Sequence, residues 1–113
     1  ELALGRAYLG SKDYDNARAA LDRAKELNPK SAEIFMYRGK MEVMREDYAA
    51  AARELDEALK LNPRLAYAQY YAGIAAANLK RPDRMVEHFR YFLKLAPDAP
   101  EAGKVKSYLR SVR

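Results

Sequence analysis

The feature that most constrains this chain is a period. Pro29, Pro63 and Pro97 stand 34 residues apart, and each closes a similar run: Ala24-Lys25-Glu26-Leu27-Asn28-Pro29, Ala58-Leu59-Lys60-Leu61-Asn62-Pro63 and Phe92-Leu93-Lys94-Leu95-Ala96-Pro97. In the same register Gly5, Gly39 and Gly73 form a second column, Leu21, Leu55 and Phe89 a third, and Ala17, Ala51 and Met85 a fourth. Self-similarity at a fixed period of this length marks an array of supersecondary units, each burying its apolar face against its neighbours.

Punctuation inside each unit sets its elements. The residue before a proline is disfavoured in the α region, so Asn28-Pro29 and its repeats stop a helix. Asp13 and Asp47 stand where they cap a following helix, and Pro82 falls in a first turn, where its missing N–H costs nothing. The spacing predicts helices from about Glu1 to Leu9, Tyr14–Leu27, Ala32–Arg45, Tyr48–Leu61, Ala66–Leu79 and Pro82–Leu95, with a seventh over about 100–112. Asp98 and Glu101 lie near the positive N-terminal end of that last helix. Glycine inside a helix costs about 1 kcal/mol against alanine, so three at one phase predict close helix approach, with Ala17 and Ala24 or Ala51 and Ala58 as the facing small residues. Half the residues are hydrophobic, much of that alanine and tyrosine, which suits thin, closely packed helices. No apolar run approaches the roughly 20 residues that span a bilayer. Nothing in the composition assigns a compartment, and localisation stays open.

These residues resemble the tetratricopeptide repeat, a helix–turn–helix unit of the same period. Leu4-Gly5, Tyr8, Ala17, Leu21, Ala24 and Pro29 match the family pattern in the first repeat, which lacks only its opening residues. Phe35, Gly39, Ala51, Leu55, Ala58 and Pro63 match in the second. Its departures are Arg38 and Glu42, where the family prefers Leu and Tyr; four apart on one helix, they are expected to pair with each other. The third repeat keeps Gly73, Phe89 and Pro97 but has Met85 and Phe92 at the two alanine positions. These bulkier residues are expected to splay the helix pair or to fill space against the seventh helix. The resemblance implies an all-α, right-handed α-solenoid forming one domain over residues 1–113. Its repeats would span 1–31, 32–65 and 66–99, and residues 100–113 would form a capping helix. The apolar stripe of that cap is Ala102, Val105, Leu109 and Val112, with Lys104, Lys106, Arg110 and Arg113 facing water. The chain opens on Glu1 part-way through a repeat, so it is read as a segment of something longer.

Catalysis finds little to work with. There is no cysteine and one histidine, and one helical turn from His88 lie Arg84, Met85, Tyr91 and Phe92, none of them a carboxylate. His88 is expected to be a half-buried packing residue. No phosphate-binding glycine loop, nucleophile elbow or metal-ligand spacing occurs. Glu42 and Glu46 are expected on a solvated charged face beside Arg38 and Arg45. No enzyme activity, metal or cofactor is therefore expected.

Binding is the better reading. The family resemblance implies that the first helix of each repeat lines a concave groove, offering Arg6 and Leu9 from the first, Met36, Tyr37, Lys40 and Met44 from the second, and Tyr67, Tyr70, Tyr71, Ile74 and Asn78 from the third. Tyrosine gives contact area with little ordering entropy, and methionine adapts to varied shapes. Both the groove and the space between repeats are open to Tyr70 and Tyr71, since adjacent helical residues cannot point the same way. The implied partner is a peptide or helix of another protein, acidic with apolar anchors. Chaperone-binding members of the family clamp a C-terminal carboxylate with Lys and Asn from the first repeat, Asn from the second, and Lys and Arg from the third. The matching positions here are Leu2, Arg6, Tyr37, Tyr67 and Tyr71, and only Arg6 serves an anion. The alternatives are self-association through Leu2, Leu4 and Tyr8, and, more weakly, nucleic-acid binding. Net charge is +5, concentrated where Lys80, Arg81 and Arg84 precede Lys104, Lys106 and Arg110; a solubilising cap carries the same charge.

Overall fold

The computed structural model describes residues 1–112, and the expectation for Arg113 lies outside them. Among the described residues the chain forms seven helices and no strand: α1 (Leu2–Gly10), α2 (Tyr14–Leu27), α3 (Ala32–Met44), α4 (Tyr48–Leu61), α5 (Ala66–Asn78), α6 (Pro82–Leu95) and α7 (Ala102–Arg110). They pair as α1 with α2, α3 with α4 and α5 with α6. The first helix of each pair packs backbone-close on the first of the next, α1 on α3 and α3 on α5, whereas among the described residues no such close backbone approach joins α2 to α4 or α4 to α6. Rows that touch on one side and splay on the other must curve, and α1, α3 and α5 take the inner side. The result is an all-α solenoid, 42 Å long and 24 by 23 Å across.

Each turn inside a pair is built the same way. Lys12, Glu46 and Lys80 adopt the left-handed conformation, with φ of 60°, 64° and 58°, although none is a glycine. Behind each, a backbone N–H reaches back across the helix end: Asp13 to the Tyr8 carbonyl, Asp47 to Glu42 and Arg81 to Ala76, all at 2.9 Å. That bond satisfies a carbonyl the helix leaves without a partner. Asp13 and Asp47 then cap α2 and α4 by accepting from the Asn16 and Ala50 backbone N–H groups. Arg81 has no capping side chain, and Pro82 opens α6 instead.

The glycine column does mark close approach, but the facing residues are not the alanines. A Cβ on Gly5 would sit 2.7 Å from Leu21 Cδ2, and Cβ atoms on Gly39 and Gly73 would press on Leu55 and on the Phe89 ring. Each glycine makes room for the large residue at the centre of the facing helix, and that residue is fully buried. Ala17, Ala51 and Ala58 are also buried, flanking the contact. Met85, Phe89 and Phe92 are buried with Tyr70, Ile74 and Val105 in one cluster, so the bulk of the third repeat fills the space beneath α7.

Two expectations about charge fail. Arg38 does not pair with Glu42: its Nη2 lies 3.2 Å from Glu54 Oε2 and 3.7 Å from Asp22 Oδ1. Glu42 is 6 % exposed rather than solvated, and it is held by Arg18 at 3.4 Å and Arg45 at 3.2 Å. Arg38 projects across to α2 and α4, whereas Glu42 reaches Arg18 on α2 and, three residues on, Arg45 at the end of its own helix. Helix α7 is also shorter than its apolar stripe. Ala102 and Val105 are buried, Leu109 is partly so, and Val112 is exposed beyond the helix end. Its first turn is lost because the chain from Pro97 to Glu101 runs as turns, with Ala102 N–H bonded to the Ala99 carbonyl.

Candidate functional site

The inner side of the solenoid carries two adjoining hollows. The first, of 590 Å³, lies between α1 and α3 and is lined by Ala3, Arg6, Ala7, Leu9, Gly10, Lys12, Tyr37, Lys40 and Met44. The second, of 270 Å³, lies between α3, α5 and the start of α7, and is lined by Met36, Tyr37, Lys40, Tyr67, Tyr71 and Glu101. Tyr37 and Lys40 belong to both, so the hollows form one continuous groove.

Cations and rings alternate along it. The Arg6 guanidinium carbon stands 5.4 Å from the centre of the Tyr37 ring, and Lys40 Nζ stands 5.9 Å from the centres of both Tyr37 and Tyr71. The ring faces attract the cations, while among the described residues neither Arg6, Lys12 nor Lys40 is in an ion pair. The positive charge of the first hollow is therefore not neutralised from within. Burial pushes the Tyr71 hydroxyl well above the ordinary tyrosine value, with smaller contributions from Tyr70 and Glu101; it stays neutral. At the other end Tyr67 donates its hydroxyl to Glu101 Oε1 at 2.9 Å, and that bond raises the pKa of Tyr67. Edge contacts with Phe92 and Tyr70, at 5.7 and 6.2 Å between centres, fix the Tyr67 ring.

The residues expected from sequence divide into three groups. Arg6, Tyr37, Lys40, Met44, Tyr67 and Tyr71 line the groove, and Leu9 and Met36 form its floor, both nearly buried. Tyr70 and Ile74 are packing residues at 7 % and 9 % exposure: Tyr70 lies against Phe89 and Phe92, at 6.3 and 5.3 Å between ring centres. Asn78 is exposed but folds its amide back onto the Ile74 carbonyl and lines neither hollow. Sequence reasoning missed Lys12 and Glu101. Glu101 stands one period after Tyr67, so carrying the repeat register into the last helix would have found it.

His88 lies away from the groove. Its Nδ1 is 2.8 Å from Gln69 Oε1, and Gln69 Nε2 donates to the Pro63 carbonyl at 3.0 Å. The second bond orients the amide, so Oε1 faces the imidazole and Nδ1 carries the proton. Burial lowers the His88 pKa, Asp56 and Glu87 oppose that, and Arg84 adds to it. Among the described residues no cluster of His, Asp or Glu has the arrangement of a metal site, and no helix is long and apolar enough to cross a membrane.

The sequence profile of the tetratricopeptide repeat matches residues 2–55 and, overlapping, 42–100. The chain belongs to the tetratricopeptide repeat family. Solved tetratricopeptide domains superpose closely on it. The OM64 domain of Arabidopsis aligns at a TM-score of 0.90 with 22 % identity, over 97 % of this chain and 91 % of that one. The first such domain of Spaghetti (RPAP3), bound to the HSP90 peptide SRMEEVD, aligns at 0.90 with 19 % identity over 98 % and 91 %. The second-B domain of yeast Sti1, in complex with Hsp70, aligns at 0.85 with 15 % identity over 96 % and 89 %. At these identities the likeness carries the tetratricopeptide fold. Comparison with curated protein sequences finds no significant match.

Proposed function

We propose that this tetratricopeptide domain is a non-enzymatic interaction module whose groove holds a segment of another protein and so helps assemble a complex. One observation carries the reading: the two hollows meet at Tyr37 and Lys40 in a groove with partly exposed rings and cations that are in no ion pair within the described residues. Aromatic faces supply apolar contact at low ordering cost, and unpaired cations steer acidic groups toward it. That one solved neighbour is bound to an HSP90 peptide and another is a complex with pHsp70 supports the use of the fold, but not their ligand. At the positions where chaperone-binding members carry their carboxylate clamp this chain has Leu2, Arg6, Tyr37, Tyr67 and Tyr71, and only Arg6 is cationic. The segment held here is one with apolar side chains and carboxylates, not a chaperone tail.

The test is a pull-down with the domain beside a Tyr37→Ala/Lys40→Glu variant whose helicity and thermal unfolding match the parent. A protein captured by the parent and lost from the variant supports the groove. Identical captures in both lanes, protein or RNA, would overturn it. A second reading, self-association, is favoured by α1, where Leu4 is 45 % exposed beside the partly exposed Leu2 and Tyr8. Sedimentation over a wide concentration range decides it: a concentration-dependent mass that Leu4→Glu abolishes supports pairing, and a constant monomer mass removes it.

A further inference from the structure

The two ends of the groove differ in charge, and the difference constrains what enters it. The hollow between α1 and α3 has three cations, Arg6, Lys12 and Lys40, and no carboxylate. The hollow at α5 and α7 shares Lys40 with the first and adds a carboxylate, Glu101, at its far side. Glu101 is partly buried, receives the Tyr67 hydroxyl on Oε1, and is in no ion pair among the described residues. A carboxylate has acceptor capacity for about four hydrogen bonds, so most of it is unused. The Tyr67 bond also holds it in place, and Tyr67 is itself fixed by Phe92 and Tyr70. Past Lys40, an acidic residue set against Glu101 would meet repulsion.

Resting on the groove reading above, we propose that the partner is a protein segment of polarised charge. Its Asp or Glu residues lie over α1 and α3, and a Lys or Arg follows where it reaches α5 and the start of α7, placed to meet Glu101. The polarity sets direction as well as composition: a segment with the same charges in reverse order along the groove would place each against its like, and like-charge contacts are what separates right partners from wrong ones.

A displayed random peptide library tests this on the intact domain and on Tyr37→Ala, Glu101→Gln and Glu101→Lys variants. Peptides lost on Tyr37→Ala are the groove binders. Among them the parent is expected to enrich acidic residues at one end and Lys or Arg at the other. Glu101→Gln, which keeps an acceptor for Tyr67, should erase the basic preference, and Glu101→Lys should replace it with an acidic one. For a synthetic peptide from the selection, changing its basic residue to Glu should weaken binding to the parent by about twofold to fivefold, the scale of one exposed charge contact, and Glu101→Lys should restore it. Groove binders that are acidic throughout, or that ignore both Glu101 variants, would overturn the polarity and leave the groove reading standing. A selection in which no peptide depends on Tyr37 would overturn the groove reading, and the polarity with it.

Discussion

The junction between the first two repeats and the junction between the third repeat and α7 are held in opposite ways. At the first, Arg38 reaches Asp22 and Glu54, and Glu42 reaches Arg18 and Arg45. At the last, Tyr70, Phe89, Phe92 and Tyr108 stack with centres 5.3 to 6.3 Å apart over Val105. Charged side chains must keep their partners and their water, and Arg38 fails in part: its Nη1 is buried with no partner. Rings have no such obligation and add their full buried area. In a repeat array stability is a sum of unit and nearest-neighbour terms, so the aromatic end is the firm one and α1–α2 the end that opens first.

The largest effect should come from truncating that firm end. Phe89→Ala is expected to cost about 3–5 kcal/mol, read from denaturant unfolding, because the ring is fully buried between Gly73 and Tyr108. A loss under 1 kcal/mol would erase the contrast between the junctions. Gly73→Ala should cost about 1–3 kcal/mol by overpacking. It should exceed Gly5→Ala measured in the same way, since the Phe89 ring is stiffer than Leu21; equal losses would say the third pair relaxes as easily as the first.

The polar junction should answer more weakly. Glu42→Ala is expected to cost about 1–2 kcal/mol, toward the low end for hydrogen bonds to a charged group, because the half-exposed Arg18 and Arg45 regain water. Arg38→Leu, the family's preference at that site, should stay within about 1 kcal/mol of the parent: it gives up two partly exposed ion pairs but removes a buried unpartnered nitrogen. A loss as large as that of Phe89→Ala would make the charges equal to the rings.

The smallest effect concerns His88. Its pKa in the folded chain lies below the ordinary 6.5 because burial disfavours the imidazolium. As pH falls through 6.5 the unfolded chain takes up this proton first, so stability is full above that value and declines down to the folded pKa. His88→Gln should remove this part of the slope of unfolding free energy as pH falls below the ordinary histidine value. An unchanged slope would overturn the His88 contribution.

Much of the fold was legible because its signals are local. Asn28-Pro29 and Asn62-Pro63 stop helices through backbone sterics, Asp13 and Asp47 start them through one hydrogen bond each, and Gly39 signals close approach by lacking a Cβ. The identity of the neighbour was not local. Glu42 meets Arg18, 24 residues away, a pairing that periodicity along α3 does not show. The groove was legible only in part for the same reason. Lys40 and Ile74 stand one period apart, as do Met36 and Tyr70, yet Lys40 lines the groove while Ile74 and Tyr70 are buried beside Met85, Phe89 and Phe92.

By itself, then, the sequence determined the six helices of the repeats, their ends to within about a residue, their pairing and the family, but not the bounds of α7. Those follow from contacts within a few residues, repeated at one period. Only the tertiary structure decided which side chains face outward, because a repeat position has no exposure until its neighbour is in place. Tyr37 faces a groove since α1 and α5 leave it open, and Tyr70 does not since Phe89 and Phe92 close over it.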